Sequence, residues 1–481
     1  MSVAAALAPR PGRRVGSGGF VALTAGGAAL VGTAAHMGPV PATAAAGAAV
    51  GAYAVLTRPI YGVYFLASVA PIVSGLHRGL PVPGFRLSEL AIVLVGTLVL
   101  WATRDRAPTR WRALDWCALA YATTTLVIGA VAVLRGGGAF DNESLGTLLG
   151  PLQFLVLYRV VIAAVNTWEE WRRVLRLLLY ASVPVSALAI LQWLGAPGIR
   201  SFLLSATGSQ AGTGGIGGGF TRVTGPFPHW QPLAAYLFLV LVVGVALLFT
   251  QRQQVIGRRS LVIVLAPALV ALVQTATLGP LLGAVVAAAV LAIWSGADIG
   301  RVLRWLVGVA ATVGIFFGPL LNARLDQQFN ATASNAWNPS FPQTLQFRWV
   351  VWTDQYLPAL WGHWLLGYGP ALPSSITWRF TESIYVSLLM RGGLMLLVAY
   401  LALMWALLRA AGRAAVARDP DRQVIGRALV VATAVLFILQ TLQAYFLQTG
   451  MSHDLWILAA LLAATAAGTP LSTGLHAKGV R

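Results

Sequence analysis

Charge is scarce in this sequence, and negative charge scarcest: 10% of the 481 residues are charged, and 14 are Asp or Glu. Soluble chains carry roughly 25% charged residues, so an ordinary soluble domain of this length is excluded. Cysteine is nearly absent as well. The single Cys117 rules out an intrachain disulfide or a cysteine-based metal cluster, and within its apolar run it reads as a small buried residue. Lysine occurs once, at Lys478, so the other basic residues are all Arg. What fills the chain is apolar: 58% of residues are hydrophobic, and the mean hydropathy is +0.75. Runs long enough to cross about 30 Å of hydrocarbon recur from end to end. The chain reads as a polytopic, all-α membrane protein.

Hydropathy predicts fourteen spans, at 20–36, 40–57, 59–77, 86–102, 113–134, 146–165, 176–194, 231–249, 261–276, 279–294, 302–321, 384–408, 428–447 and 453–468. Several are short or Gly/Ala-rich, which brackets the count at twelve to fourteen. The basic flank and short apolar run at the start resemble a signal peptide. Further spans follow at once, so it is expected to stay as the first helix. Arginine-rich loops such as "RDRAPTRWR", "WEEWRRVLR" and "RAAGRAAVARDPDRQVIGR" all fall on one side when the N-terminus is inside. By the positive-inside rule both termini are expected in the cytoplasm. The net charge of +19 is thereby an orientation signal facing anionic membrane lipids, with no nucleic acid implied.

Two outer loops interrupt otherwise short connections, 195–230 and 322–383. Loops of that length in a compact fold are usually functional. The second holds "LQFRWVVWTDQYLPALW", amphipathic and Trp-rich, as expected of a segment along the membrane interface. Familiar soluble-enzyme signatures do not survive inspection. "GTGGIGGG" lacks the Gly-Lys-Ser/Thr ending of a P-loop and faces outward, so it reads as a flexible spacer. "DPD" at 419–421 sits in a basic inner loop and reads as a solvated turn. His229 and His363 are too far apart for a zinc motif, and no nucleophile elbow occurs.

What remains are outward-face charges: Arg222 in "TRVTGPFPHW", Arg348 in "QFRWVVW", and Arg379 with Glu382 in "TWRFTESIYVSLLMRGG". Arginine forks hold diphosphate oxygens bidentately and keep their charge. A carboxylate in a partly dehydrated pocket can take a proton from a sugar hydroxyl. Arg379 and Glu382, spaced i, i+3, would share one face of a continuous helix. As an interfacial ion pair they would only anchor that helix. Arg391 is predicted to lie nearly opposite Glu382, facing another partner such as Glu89, unless Gly392–Gly393 distorts the helix.

"RVTGPFPHWQPLAAYL" resembles the signature of O-antigen ligases and O-antigen polymerases, bacterial membrane glycosyltransferases that use polyprenyl-diphosphate-linked glycans. The second loop is similar too: Arg348 followed four residues on by Trp352, then "LLGYGP", then a polar pair opening a helix. The likeness runs over roughly residues 85 to 468. It implies a single GT-C-like transmembrane domain over 1–481 with its active site between loops 195–230 and 322–383. By that resemblance Glu382 is the catalytic base, and Arg222, Arg348 and Arg379 bind the diphosphate. His229, His363 and Tyr385 are second candidates near the acceptor. No metal and no cofactor are implied. The partners would be a lipid-diphosphate glycan donor and a glycan acceptor at the bacterial inner membrane.

The chain departs from the family at three places. Glu382-Ser383 stands where many ligases resemble His-Asn, which leans towards a polymerase. Arg391 replaces an acidic residue, and "ATLGP" lacks the usual arginine. The competing expectation is a lipid-linked oligosaccharide flippase or another multi-span transporter, which should show internal repeats and broken helices at midplane. No defensible repeat is present.

Overall fold

A computed structural model describes residues 39–78, 85–106, 111–135, 142–208, 215, 219–250, 254–329, 342–373, 375–378, 381–448 and 450–465. The predicted first span, 20–36, most of the glycine-rich "GTGGIGGG" and Arg379 lie outside these residues.

In hydrocarbon every backbone N–H and C=O must be satisfied inside the segment, which favours helices. The fold follows that rule. Its helices are α1 Pro39–Thr57, α2 Ile60–Val73, α3 Leu87–Thr103, α4 Ala113–Arg135, α5 Asn142–Ala164, α6 Trp168–Trp193, α7 Ile199–Thr207 and α8 Trp230–Phe249. They continue with α9 Arg258–Gln274, α10 Leu278–Trp294, α11 Ile299–Phe329, α12 Gln343–Val351, α13 Ile384–Ala415, α14 Pro420–Leu439 and α15 Met451–Thr465. A π turn, Trp352–Tyr356, prolongs α12 into a last helical turn, Leu357–Leu360. Among the described residues there is no β-strand; an isolated antiparallel bridge joins Gly215 and Thr221.

Seven of these helices are long and apolar enough to cross a membrane, and shorter apolar helices accompany them. This is the make-up of a multi-pass membrane protein. The core gathers around α8, with 83% of its apolar window buried, and around its neighbour α15. Helices α5, α6, α9, α10 and α14 pack against this pair, while α13 lies between α4 and α14. At the other extreme, only 6% of the apolar window of α11 is buried.

Every predicted span from 40–57 onward corresponds to a helix, but several boundaries differ. Helix α14 starts at Pro420, because Asp419 caps it by accepting from the Arg422 N–H at 2.9 Å. It ends at Leu439, and turns with a short 3-10 stretch, Tyr445–Leu447, take the place of the last part of the expected span 428–447. Nor is "DPD" a solvated turn. The Asp421 side chain is 1% exposed, pairs with Arg172 at 2.7 Å and accepts from the Gln254 N–H at 3.0 Å. Helix α11 runs on to Phe329 and takes Arg324 out of the expected outer loop.

Helix α13 breaks at Gly393, whose φ of 60° and ψ of −159° are not helical. The "LLGYGP" segment docks there, with Tyr368 N–H donating to Met390 O (2.6 Å) and Leu394 N–H to Trp364 O (2.7 Å). A Cβ on Gly393 would lie 2.2 Å from the Leu365 carbonyl carbon, so only glycine allows the backbones to meet. The break ties the segment before α13 to that helix.

Candidate active site

Glu382 does not lie on a helix. Ser383 is the N-cap of α13, and Glu382 precedes it at φ +55°, a left-handed conformation uncommon outside glycine. A shared helical face with Arg379 is thus excluded, because the helix has not begun at Glu382. Holding such a backbone costs on the order of 1–3 kcal/mol, and the neighbouring contacts over-determine it. Ile384 N–H donates to Gln440 O at 3.0 Å, and the Gln440 side chain accepts from Tyr400 at 2.6 Å. On the other side, α12 and its π turn hold Trp378, Thr381 and Glu382 with three side chains at four-residue spacing. Arg348 reaches Glu382, Trp352 Nε1 donates to Thr381 O at 2.9 Å, and the Tyr356 hydroxyl donates to Trp378 O at 2.5 Å. A π turn is a frequent mark of a functional site.

Arg348 clasps one carboxylate oxygen: Nη2 and Nε donate to Oε2 of Glu382 at 2.6 and 3.0 Å. Both side chains are mostly buried. Glu382 is thus held by a partner 34 residues away in the chain; Arg379, expected beside it, lies outside the described residues. Among the described residues Oε1 has no hydrogen-bond partner from the protein, which leaves one carboxylate oxygen for an incoming hydroxyl.

Arg222 is held by a loop with its own fixings. Gln192 Oε1 accepts the Thr224 and Gly225 N–H groups, each at 2.9 Å, so α6 sets the path of "TRVTGPF". The Arg222 residue is 9% exposed, its guanidinium lies 4.6 Å from the Trp230 ring, and its Nε has no partner. No carboxylate pairs with it among the described residues. Burial, with the Arg324 charge adding to it, pushes its pKa down to about 9. Arg324, near the end of α11, also has a buried Nε without a partner, and the Arg348 charge acts on it in turn. The charges of Arg222, Arg324 and Arg348 thus act on one another in a run, and Arg348 in turn pairs with Glu382.

The turn holding "ATLGP" lies beside this run despite lacking an arginine. Val223 N–H donates to Gln274 O (3.4 Å), and Ala276 takes φ +49°. A Cβ on Gly279 would stand 3.5 Å from the Tyr445 hydroxyl. Tyr445, at the start of the 3-10 stretch after α14, is buried, which raises its pKa; Arg348 lowers it and Glu382 raises it. The Tyr356 hydroxyl is likewise pushed up to about 12, first by burial, while Arg391 lowers it and Glu382 raises it.

The three second candidates separate. His229 is beside Arg222, but its Nδ1 caps α8 by accepting the Gln231 N–H at 3.3 Å. That bond leaves the proton on Nε2, so His229 presents a donor, and its basic lone pair is spent. Burial and then Arg222 push its pKa down to about 4, keeping it neutral. His363 is exposed and stacks on Tyr368 at 4.2 Å, and no site arginine is among its hydrogen-bond or ring partners. Tyr385 donates its hydroxyl to Phe437 O at 2.6 Å, fastening α13 to α14. Arg391 bonds Thr147 Oγ1 at 2.9 Å, while the partner expected for it, Glu89, is paired with Arg78.

Arg324, Tyr356 and Tyr445 were not singled out by the sequence. Arg324 sits at the end of an apolar run, where a snorkelling charge is ordinary. The tyrosines carry no formal charge to draw attention. Among the described residues no three of His, Cys, Asp and Glu come together. No family model matches this chain, and no curated protein is similar to it.

Proposed function

We propose that the protein is a membrane glycosyltransferase, moving a polyprenyl-diphosphate-linked glycan onto an acceptor sugar hydroxyl at the outer face of the bacterial cytoplasmic membrane, in cell-surface polysaccharide assembly. The observation that carries this reading is the run of Arg222, Arg324 and Arg348 ending on Glu382. Fixed guanidinium groups in a water-poor site favour a multiply charged anion such as a diphosphate. Beside them is one carboxylate with an oxygen free to accept a hydroxyl proton. In the proposed step the acceptor oxygen attacks the anomeric carbon and the bond from that carbon to the phosphate oxygen breaks. The diphosphate leaves with the electron pair, and Glu382 takes the hydroxyl proton. Arginines already stabilise the leaving group, so the step needs no metal. The site has Glu382-Ser383 in place of His-Asn, which supports chain extension over transfer to a lipid core. Twelve to fourteen spans in a GT-C-like arrangement, with both termini inside, complete the proposal.

A second reading rests on His453 and Asp454 at the start of α15. Both are buried, at 1% and 0% exposure, and none of their side-chain polar atoms has a hydrogen-bond partner. Intramembrane ionisable residues of this kind mark ion or substrate pathways in transporters. Purified protein incubated with a synthetic polyprenyl-diphosphate glycan and an acceptor distinguishes the two. Chain growth with release of polyprenyl diphosphate supports transfer. Transbilayer movement of the intact donor in vesicles, without chain growth, supports transport.

A further inference from the structure

Away from the site just described, two cavities adjoin the arginine-rich ends of α9 and α11 and share Arg301. One, of about 610 Å³, lies between the end of α8, the start of α9 and the turn from α10 to α11, where Arg258, Ser295 and Asp298 line it with Arg301. The other, of about 450 Å³, follows α11 from Arg301 and Arg304 past Trp305 to Val313, with Leu269 of α9 as its other wall. We propose that the pair forms one binding site for an anionic phospholipid of the surrounding bilayer, with its phosphate on the arginines and an acyl chain along α11.

The charges argue for the head. Arg258, Arg301 and Arg304 are exposed, and among the described residues no hydrogen bond or ion pair engages their guanidinium groups. Among the described residues Asp298 is the one carboxylate on either lining, and its Oδ1 caps α11 by accepting the Arg301 N–H at 2.8 Å. Arg427 adds positive charge at the same rim, 5.8 Å from the Trp294 ring and 3.4 Å from Ser295 Oγ. Guanidinium forks match phosphate oxygens, and basic pockets between membrane helices hold acidic headgroups. Trp294 and Trp305, both exposed, stand at this end of their helices, and Trp favours the depth where lipid phosphates lie.

The shape argues for the tail. Helix α11 is the least covered of the long apolar helices, and a Cβ on Gly308, Gly314 or Gly318 would meet no atom within 4 Å. In a multi-pass protein such a face is turned to hydrocarbon, and here it carries a groove that begins at two arginines. A free phosphate would leave that apolar groove empty, whereas an amphiphile fills both cavities through the shared Arg301. A second copy packed on α11 about a two-fold axis would bring Arg301 and Arg304 against their own counterparts. A phosphodiester neutralises them instead. The inference needs the multi-pass fold and not the transfer reading.

The test places the full-length protein in phosphatidylcholine nanodiscs doped with phosphatidylglycerol, releases it into detergent and reads the retained lipid by native mass spectrometry. After correction for the composition of the disc, the wild type should keep phosphatidylglycerol in preference to phosphatidylcholine. Removing both Arg301 and Arg304 by substitution with Gln should cut that preference roughly tenfold. Gly308→Leu fills the groove from its open side with a better helix former and should lower retention as well. Arg413→Gln removes an exposed arginine at the end of α13 and should leave retention unchanged. Equal retention of the two lipids by the wild type overturns the proposal. So does undiminished phosphatidylglycerol retention in the folded Arg301→Gln, Arg304→Gln protein, or an equal loss in Arg413→Gln. A dimer that Gly308→Leu dissociates, with lipid retention unchanged, gives the groove to a second copy and overturns it too.

Discussion

At the scale of single residues, Arg222 shows why charge is informative in so acid-poor a chain. Its guanidinium is buried against Trp230 with its Nε unpartnered, a costly arrangement unless an anion arrives. Arg222→Lys keeps the positive charge and loses the planar fork. Donor binding measured by calorimetry should weaken tenfold or more, whereas wild-type affinity would show that no fork is needed. His229 has a consequence for stability. Its folded-state pKa of about 4 lies below the ordinary 6.5, so the folded protein resists protonation. The resulting stability is full above pH 6.5 and is lost as pH falls towards 4. Thermal midpoints of the wild type should drop across that window. His229→Asn keeps a cap on α8 and should flatten the drop.

At the scale of elements, two fixtures position the site. The break at Gly393 lets "LLGYGP" dock on α13, and Gly393→Ala would force a side chain into the Leu365 backbone. Left-handed φ alone costs about 1–2 kcal/mol, and the overlap adds to it. The variant should melt lower and expose residues 357–378 to protease; an unchanged digestion pattern would show that the docking is dispensable. At the far end, Asp421 locks α14 to α6 through Arg172. Asp421→Ala leaves Arg172 unpaired and should cost about 3–5 kcal/mol in unfolding measurements.

These elements also show what the sequence disclosed. Apolar runs revealed the helices, because hydrocarbon demands them. They did not reveal where α14 begins, since a cap at Asp419 outweighed the centre of hydropathy. Arg348 and Trp352 were legible from their spacing. The Arg348–Glu382 pair was not, because it depends on a π turn and on a left-handed Glu382 reached from 34 residues away. Arg379, expected as the partner, lies outside the described residues.

At the scale of the whole molecule, the account requires the site of Arg222, Arg348 and Glu382 on the outer side and the Asp421 lock on the inner side. Single cysteines introduced at 348 and 375 in a Cys117→Ala background should react with an impermeant maleimide from outside, and one at 259 only after permeabilisation. Labelling of 348 from the cytoplasmic side would break the arrangement. The central claim is that Glu382 is the proton acceptor of a glycosyl transfer, and Glu382→Gln tests it most directly. The amide keeps the shape of the side chain and removes its basicity. With a synthetic polyprenyl-diphosphate glycan, turnover should fall roughly 10²- to 10⁴-fold while donor binding persists. Undiminished turnover in folded Glu382→Gln protein would contradict the account and reduce Glu382 to an anchor for Arg348.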